Sequence, residues 1–235
     1  AAREMRQGWL RDFAAVPAGG HQSLASFHSR THGAAAAVGY GKSAMLFVML
    51  RDAIGEDAFR RGIRTFWEQH RFRLASWSDL QAVFETAAGR SLASFFEQWL
   101  KRPGGPAVKI AHAGAKKEAG RVRLTLTVEQ SAPPYAMRLP LEIVFPGSVV
   151  TRSIDIGRQR DVVTVDVDAL PEGVRLDPDL RVWRVLEREQ LPPILRQWVI
   201  ARAPRLVQVS SVGDVREAAM LLSKRFFETP AQAAS

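Results

Sequence analysis

The hydrophobic period of this 235-residue chain changes at Pro103-Gly104-Gly105-Pro106, and that change constrains the fold more than composition does. Before the run, apolar residues recur at three-and-four spacing; after it they alternate. Two prolines around two glycines stop a helix, so a boundary is expected between a helical part, residues 1–103, and a strand-rich part, residues 104–186. A helical period returns in residues 187–235, after Pro192-Pro193. A chain of this length can bury a real core in more than one compact unit.

Within the helical part, Glu4 to Phe13 reads as a weak first helix. After Gly41, the residues Leu46, Phe47 and Leu50 form a buried stripe that Met45 and Met49 widen. Glu56 to His70 repeats the pattern through Phe59, Ile63, Phe66 and Trp67, with Glu56 and Asp57 at the positive end of the helix dipole. Ser76-Trp77-Ser78-Asp79 supplies a serine cap with an acid three positions on, and Leu80, Val83 and Phe84 follow before Gly89 ends the helix. From Ser91, a last helix carries Leu92, Phe95, Phe96, Trp99 and Leu100 on one face.

In the second part, Val122 to Val128 alternates valine and leucine with polar residues, as a strand with one buried face does. Leu139 to Phe145, Val149 to Ile156 and Val162 to Val167 read as further strands, separated by Pro146-Gly147 and Gly157. Short strands at this spacing predict a small antiparallel β-sandwich. In the last segment the pattern predicts a helix over Ile194 to Ala201, a strand over Arg205 to Ser210 and a helix over Asp214 to Phe227. Val215, Ala219, Leu222 and Phe226 would form that helix's stripe, the strand and helix would start an α/β unit, and the tail from Thr229 is expected to be disordered.

The net charge of +9 raises the question of nucleic acid. Residues 1–103 carry 14 basic and 9 acidic side chains, residues 104–185 carry 12 and 10, and residues 186–235 carry 7 and 5. An excess spread this thinly, without a basic block, reads as solvated surface and not as a nucleic-acid footprint. The absence of cysteine excludes disulfides, thiolate zinc sites and cysteine nucleophiles. No apolar run reaches the length of a membrane span. Residues 1–6 resemble neither a signal peptide nor an initiator start, so the chain is expected to be an excised piece.

Residues 36–43 admit two readings. As Ala36-x-x-x-x-Gly41-Lys42-Ser43 they fit a relaxed phosphate loop, in which a strand delivers a turn whose amides wrap phosphates. The residues before Ala36, from His28 to Ala35, make a poor strand, and the possible magnesium strand Val162 to Asp166 sits among antiparallel ones. The other reading takes Tyr40-x-Lys42 and extends much further.

From Val38 through Ile110 the chain resembles the catalytic-domain end of the gluzincin aminopeptidases, the zinc metallopeptidase family of aminopeptidase N. The resemblance is carried by Gly39-Tyr40-Gly41-Lys42, Met45 to Leu50, Ile54 to Phe59, Ala75 to Leu80, Gly89-Arg90-Ser91-Leu92, Phe95 to Leu100 and Gly105-Pro106. Weaker similarity reaches Leu176-Asp177-Pro178-Asp179, which looks like the turn ending the family's β-domain. The resemblance implies an α+β chain: the helical end of a thermolysin-like catalytic domain, then an antiparallel β-sandwich, then a short α/β segment. It also implies zinc-dependent hydrolysis at the N-terminus of peptides, with Tyr40 matching the tyrosine that donates to the oxyanion. Ser43 departs from the glycine more usual there.

None of the five histidines, His21, His28, His32, His70 and His112, lies in the His-Glu-x-x-His arrangement of the family. His28 and His32 are four apart, but no glutamate lies between them, and they read as loop residues facing solvent. The resemblance therefore implies that zinc and its ligands belong to a missing N-terminal part, that the partners are this part and a peptide substrate, and that the chain alone is inactive. Phe66, Trp67, Phe95, Phe96 and Trp99 lie at core spacing and read as packing. Lys42 either bonds the turn around Tyr40 or faces solvent. A non-catalytic interaction module with an aminopeptidase-like fold is the alternative, and in it Tyr40 only packs its ring.

Overall fold

The computed structural model describes residues 1–27, 34–118, 120–187, 190–191, 205–206, 212–226 and 232–233. They divide into two compact units, Ala1–Leu186 and Glu187–Ser235. The first unit opens with helices α1 (Ala2–Ala14), α2 (Ala34–Ala36), α3 (Ser43–Ile54), α4 (Glu56–His70), α5 (Trp77–Ala88) and α6 (Ala93–Phe96). A π-helical stretch, Ala37–Lys42, joins α2 to α3, and another, Glu97–Lys101, prolongs α6.

Local chemistry explains where these helices stop and start. The Ser76 side chain accepts from the Asp79 backbone N–H while the Asp79 carboxylate accepts from the Ser76 N–H, so two otherwise orphaned donors are satisfied at the start of α5. Gly89, at φ 66°, then turns the chain left-handed and ends the helix. Met45, Leu46, Met49, Leu50, Leu80, Val83, Phe84, Leu92, Phe96 and Trp99 are buried together with Leu10 and Phe13 of α1.

One stripe departs from expectation. Ile63 and Trp67 are 43% and 60% exposed, whereas Ala58 and Gly62 are the buried residues of α4. The cause is Gly62, whose missing side chain lets α4 lie against the Phe84 ring; a Cβ there would stand 2.5 Å from ring atoms. That approach turns the neighbouring large residues outward, and Trp67 meets Phe72 edge-on at 6.2 Å.

Past the proline-glycine run the backbone forms β1 (Val108–Glu118), β2 (Arg121–Gln130), β3 (Met137–Phe145), β4 (Ser148–Ile156), β5 (Arg160–Val167) and β6 (Gly173–Leu176). They make two three-stranded antiparallel sheets, ordered β1-β2-β5 and β4-β3-β6. Val122, Leu124, Leu126 and Val128 of β2, and Met137, Leu139, Leu141 and Ile143 of β3, are buried as their alternation requires. Helices and strands share the unit Ala1–Leu186, and the turn at Pro103 marks the change from one type of element to the other.

The second unit contains α7 (Gly213–Phe226) and two short strands, β7 (Arg205–Leu206) and β8 (Gln232–Ala233), paired in parallel. The predicted helix over Ile194 to Ala201 lies outside the described residues. Val215 and Leu222, expected in a buried stripe, are more than half exposed. Gln232 and Ala233 have a partner strand and so depart from the disordered tail expected after Thr229. Among the described residues no helix is long and apolar enough to cross a membrane.

The contact between α4 and α5 is testable at Gly62. Alanine gains about 1 kcal/mol of helix propensity, but its methyl must displace a buried phenyl ring, which costs about 1–3 kcal/mol. Gly62→Ala is therefore expected to lower stability in urea unfolding; a more stable variant would contradict the close approach.

Candidate functional site

Tyr40 sits in the π-helical stretch between α2 and α3. A π-turn holds one residue more than an α-turn and recurs at functional positions in helices. Both neighbours of Tyr40 are glycines against aromatic rings. A Cβ on Gly39 would lie 2.4 Å from the Phe27 ring, and one on Gly41 would lie 3.2 Å from the Trp9 Cβ and 3.3 Å from the Trp183 ring. Any larger residue at position 39 must displace Phe27, so the backbone on either side of Tyr40 is held close to the core.

Tyr40 itself is 50% exposed, while Val38, Gly39, Gly41 and Lys42 around it are buried. Its ring meets Phe27 edge-on at 5.4 Å. Among the described residues its hydroxyl takes no hydrogen-bond partner, so the phenol proton remains available to a ligand. Ser43 fits its place without distortion: its backbone is helical, at φ −60° and ψ −49°, and its hydroxyl donates to the Gly39 carbonyl at 2.6 Å.

Lys42 does not face solvent. It is fully buried, and its Nζ donates to the Arg102 carbonyl at 2.7 Å and to the Gly104 carbonyl at 3.1 Å. The Gly104 oxygen also accepts the Trp183 indole N–H at 3.1 Å. Burial, and then the charge of Arg102, lower the Lys42 pKa to about 8. Gly104 has φ 70°, and a Cβ on it would stand 2.9 Å from His21 Nδ1. Beside it, the Arg102 guanidinium donates to the carbonyls of Pro133 and Pro134 at 2.6 and 2.8 Å and lies 3.5 Å above the Tyr135 ring. Tyr135 in turn donates to the Pro103 carbonyl at 3.3 Å.

Trp183 is delivered by the turn after β6. Asp177, buried and at φ 48°, accepts from the backbone N–H groups of Arg181 and Val182 at 2.6 and 3.3 Å and from buried Arg184 at 3.2 Å. Burial pushes its carboxyl pKa up, and the Arg184 charge opposes that shift. From α1, Arg3 and Arg6 donate to the carbonyls of Pro178 and Asp179 at 3.0 and 2.9 Å. The chain leaving this turn inserts Trp183 against Phe13, with ring centroids 4.3 Å apart, and beneath Gly41.

The phosphate-loop alternative does not match this geometry. Residues 34–54 are helical throughout, Lys42 is occupied by two carbonyls, and β5 runs antiparallel to β2. Among the described residues no three His, Asp or Glu side chains lie together as a metal set would. His28 and His32 fall outside the described residues. Phe96 and Trp99 are buried and Phe66 and Phe95 half-buried, whereas Trp67 is exposed and so is not the packing residue expected. Residue spacing does not reveal Arg102, Gly104 and Trp183 as the partners of this site; the one local signal is the left-handed glycine after a terminated helix.

Residues 28–99 match the Peptidase family M1 domain. A leucyl aminopeptidase of Saccharolobus solfataricus is 27% identical over 146 residues, covering 62% of this chain and 18% of its own length. An aminopeptidase N of Lactobacillus helveticus is 34% identical over 89 residues, covering 38% and 10%, and the tricorn protease-interacting factor F2 of Thermoplasma acidophilum is 35% identical over 79 residues, covering 34% and 10%. The chain thus spans less than a fifth of each of these relatives. Among solved structures, Legionella pneumophila aminopeptidase A in complex with aspartic acid has a TM-score of 0.52 at 14% identity, over 74% of this chain and 21% of that one, a likeness of fold.

The buried ammonium has a pH signature. Its folded pKa of about 8 lies below the ordinary 10.5, so between those values the unfolded chain keeps a proton that the folded chain has lost. The contribution of Lys42 to stability is therefore lowest below pH 8 and rises with pH across that window. Measured by urea unfolding, the wild type is expected to gain about 2–3 kcal/mol relative to Lys42→Met between about pH 7.5 and about pH 10. An equal difference at both pH values would contradict the burial.

Proposed function

We propose that this chain, whose residues 28–99 match the peptidase M1 domain, is the C-terminal portion of a zinc-dependent aminopeptidase. On this reading residues 1–103 are the helical end of a thermolysin-like catalytic domain, residues 104–186 are its β-sandwich, and residues 187–235 start a further α/β element. The observation that carries the proposal is Tyr40, a half-exposed phenol whose hydroxyl has no partner among the described residues, beside buried Val38, Gly39, Gly41 and Lys42.

Such a phenol suits peptide hydrolysis. Its hydroxyl is both a hydrogen-bond donor and an acceptor. When a peptide carbonyl is attacked, its oxygen gains negative charge, and Tyr40 donates a hydrogen bond to that oxygen. The bond strengthens as charge develops, so it stabilises the transition state more than the bound substrate. Among the described residues no metal set forms, and the proposal places the zinc ligands in the longer enzyme. In the longer enzyme, zinc would polarise the carbonyl and activate water, and the proposal has this chain inactive without that part.

The exposed Trp67, Phe72 and Leu74 favour a second reading, an aminopeptidase-like fold used only to bind another protein. One substitution separates the two. Tyr40→Phe in the longer enzyme is expected to lower kcat about a hundredfold, the usual cost of one oxyanion donor. KM, metal content and thermal stability should hardly change. Unchanged turnover would remove the catalytic role and leave the binding reading.

A further inference from the structure

We infer that Lys42 is a positioning residue for Tyr40, and that it makes the placement of the phenol depend on how the strand-rich part packs against the helices. The inference rests on the catalytic reading of Tyr40 and goes beyond it, because Lys42 never meets the substrate.

The geometry is a short mechanical chain. Tyr40 and Lys42 belong to one π-helical turn, Ala37–Lys42, with only Gly41 between them. Gly41 packs the turn against Trp9 and Trp183 but carries no polar side chain, which leaves a hydrogen-bonding anchor outside the helix to its neighbour. Lys42 supplies it by reaching the carbonyls of Arg102 and Gly104 at the turn that enters the sheets. The other end of that turn is held from the strand side: Trp183 donates to the same Gly104 oxygen, and the Arg102 guanidinium grips the carbonyls of Pro133 and Pro134. Trp183 also lies against Gly41, so the indole touches both the turn that carries the phenol and the carbonyl that holds Lys42.

A surface lysine could do none of this. An ammonium removed from water costs several kcal/mol unless its protons are taken up, and here two main-chain oxygens accept them. Both acceptors follow a helical segment that ends at Lys101, where backbone carbonyls lack intrahelical partners and favour a cation. The groups bearing charge or able to titrate around this turn are Arg102, which disfavours the ammonium, His21 against Gly104, and Tyr135 beneath Arg102. Loss of one proton leaves a neutral amine with two N–H groups, enough for both carbonyls, so the tie persists on either side of its titration.

The test has two parts. Tyr40 and Tyr135 are the only tyrosines, so this chain labelled with fluorotyrosine has two fluorine resonances, and Tyr40→Phe assigns them. Lys42→Met keeps an apolar stem of similar length and removes the donor. The expected result is a shifted or broadened Tyr40 resonance in a variant whose circular dichroism is unchanged. An unmoved Tyr40 resonance in the folded variant would overturn the inference. Should Lys42→Met fail to fold, Trp183→Phe removes the second donor to Gly104 and is expected to displace the same resonance, with an unmoved signal again counting against it.

The second part is a double-mutant cycle in the longer enzyme. Lys42→Met is expected to reduce kcat about ten- to a hundredfold with little change in KM. In a Tyr40→Phe background it should cost almost nothing, because the phenol it places is gone. If Tyr40→Phe alone leaves kcat intact, the catalytic reading fails. If Tyr40→Phe is slow but Lys42→Met costs the same factor in both backgrounds, Lys42 is merely structural and only this inference fails.

Discussion

One backbone oxygen, that of Gly104, receives a lysine ammonium from the helices and a tryptophan indole from the strands. Through this shared acceptor the turn that carries Tyr40 is tied to the segment that follows β6. Residues 102–104 leave a helix and enter a sheet, so their carbonyls have no regular partners and must find donors elsewhere. Lys42 and Trp183 are those donors at Arg102 and Gly104, and Tyr135 is the donor at Pro103. Removing Lys42 would leave the Arg102 carbonyl without its donor, and an unmet polar group away from water costs more than an average hydrogen bond contributes; removing Trp183 would leave Lys42 alone on the Gly104 oxygen.

The arginine surplus acquires a different meaning in this light. Several guanidiniums that raise the net charge are structural bolts. Arg3 and Arg6 hold the turn at Pro178 and Asp179, Arg102 holds Pro133 and Pro134, Arg184 pairs with buried Asp177, and Arg181 grips Asp52 of α3 with both arms. A planar fork of donors suits main-chain carbonyls and carboxylates alike. These contacts join α1, α3 and the strand-rich part into one unit, and they give five of the 27 arginines a structural role.

What was legible in the sequence was local. The capping pair Ser76 and Asp79, the stop at Gly89 and the alternation of β2 and β3 each depend on residues within a few positions, and each formed as read. Strand β1 carries no such local signature, because His112-Ala113-Gly114-Ala115-Lys116-Lys117 has no apolar alternation; its order comes from pairing along β2. The outward turn of Ile63 and Trp67 was equally hidden, since it follows from the fit of Gly62 to Phe84 on another helix. At the candidate site, Tyr40 was readable as a candidate from its motif and the resemblance. The direction of Lys42 was not, because its acceptors lie 60 and 62 residues away.

The central claim is that this chain presents the Tyr40 phenol to a reacting peptide. The most direct measurement is a crystal structure of the longer enzyme with a phosphinic dipeptide, whose tetrahedral phosphorus mimics the attacked carbonyl. The account predicts the Tyr40 hydroxyl at about 2.5–3.0 Å from a phosphinyl oxygen, with Lys42 still on the carbonyls of Arg102 and Gly104. A Tyr40 hydroxyl pointing away from the inhibitor, with another group donating to that oxygen, would contradict it.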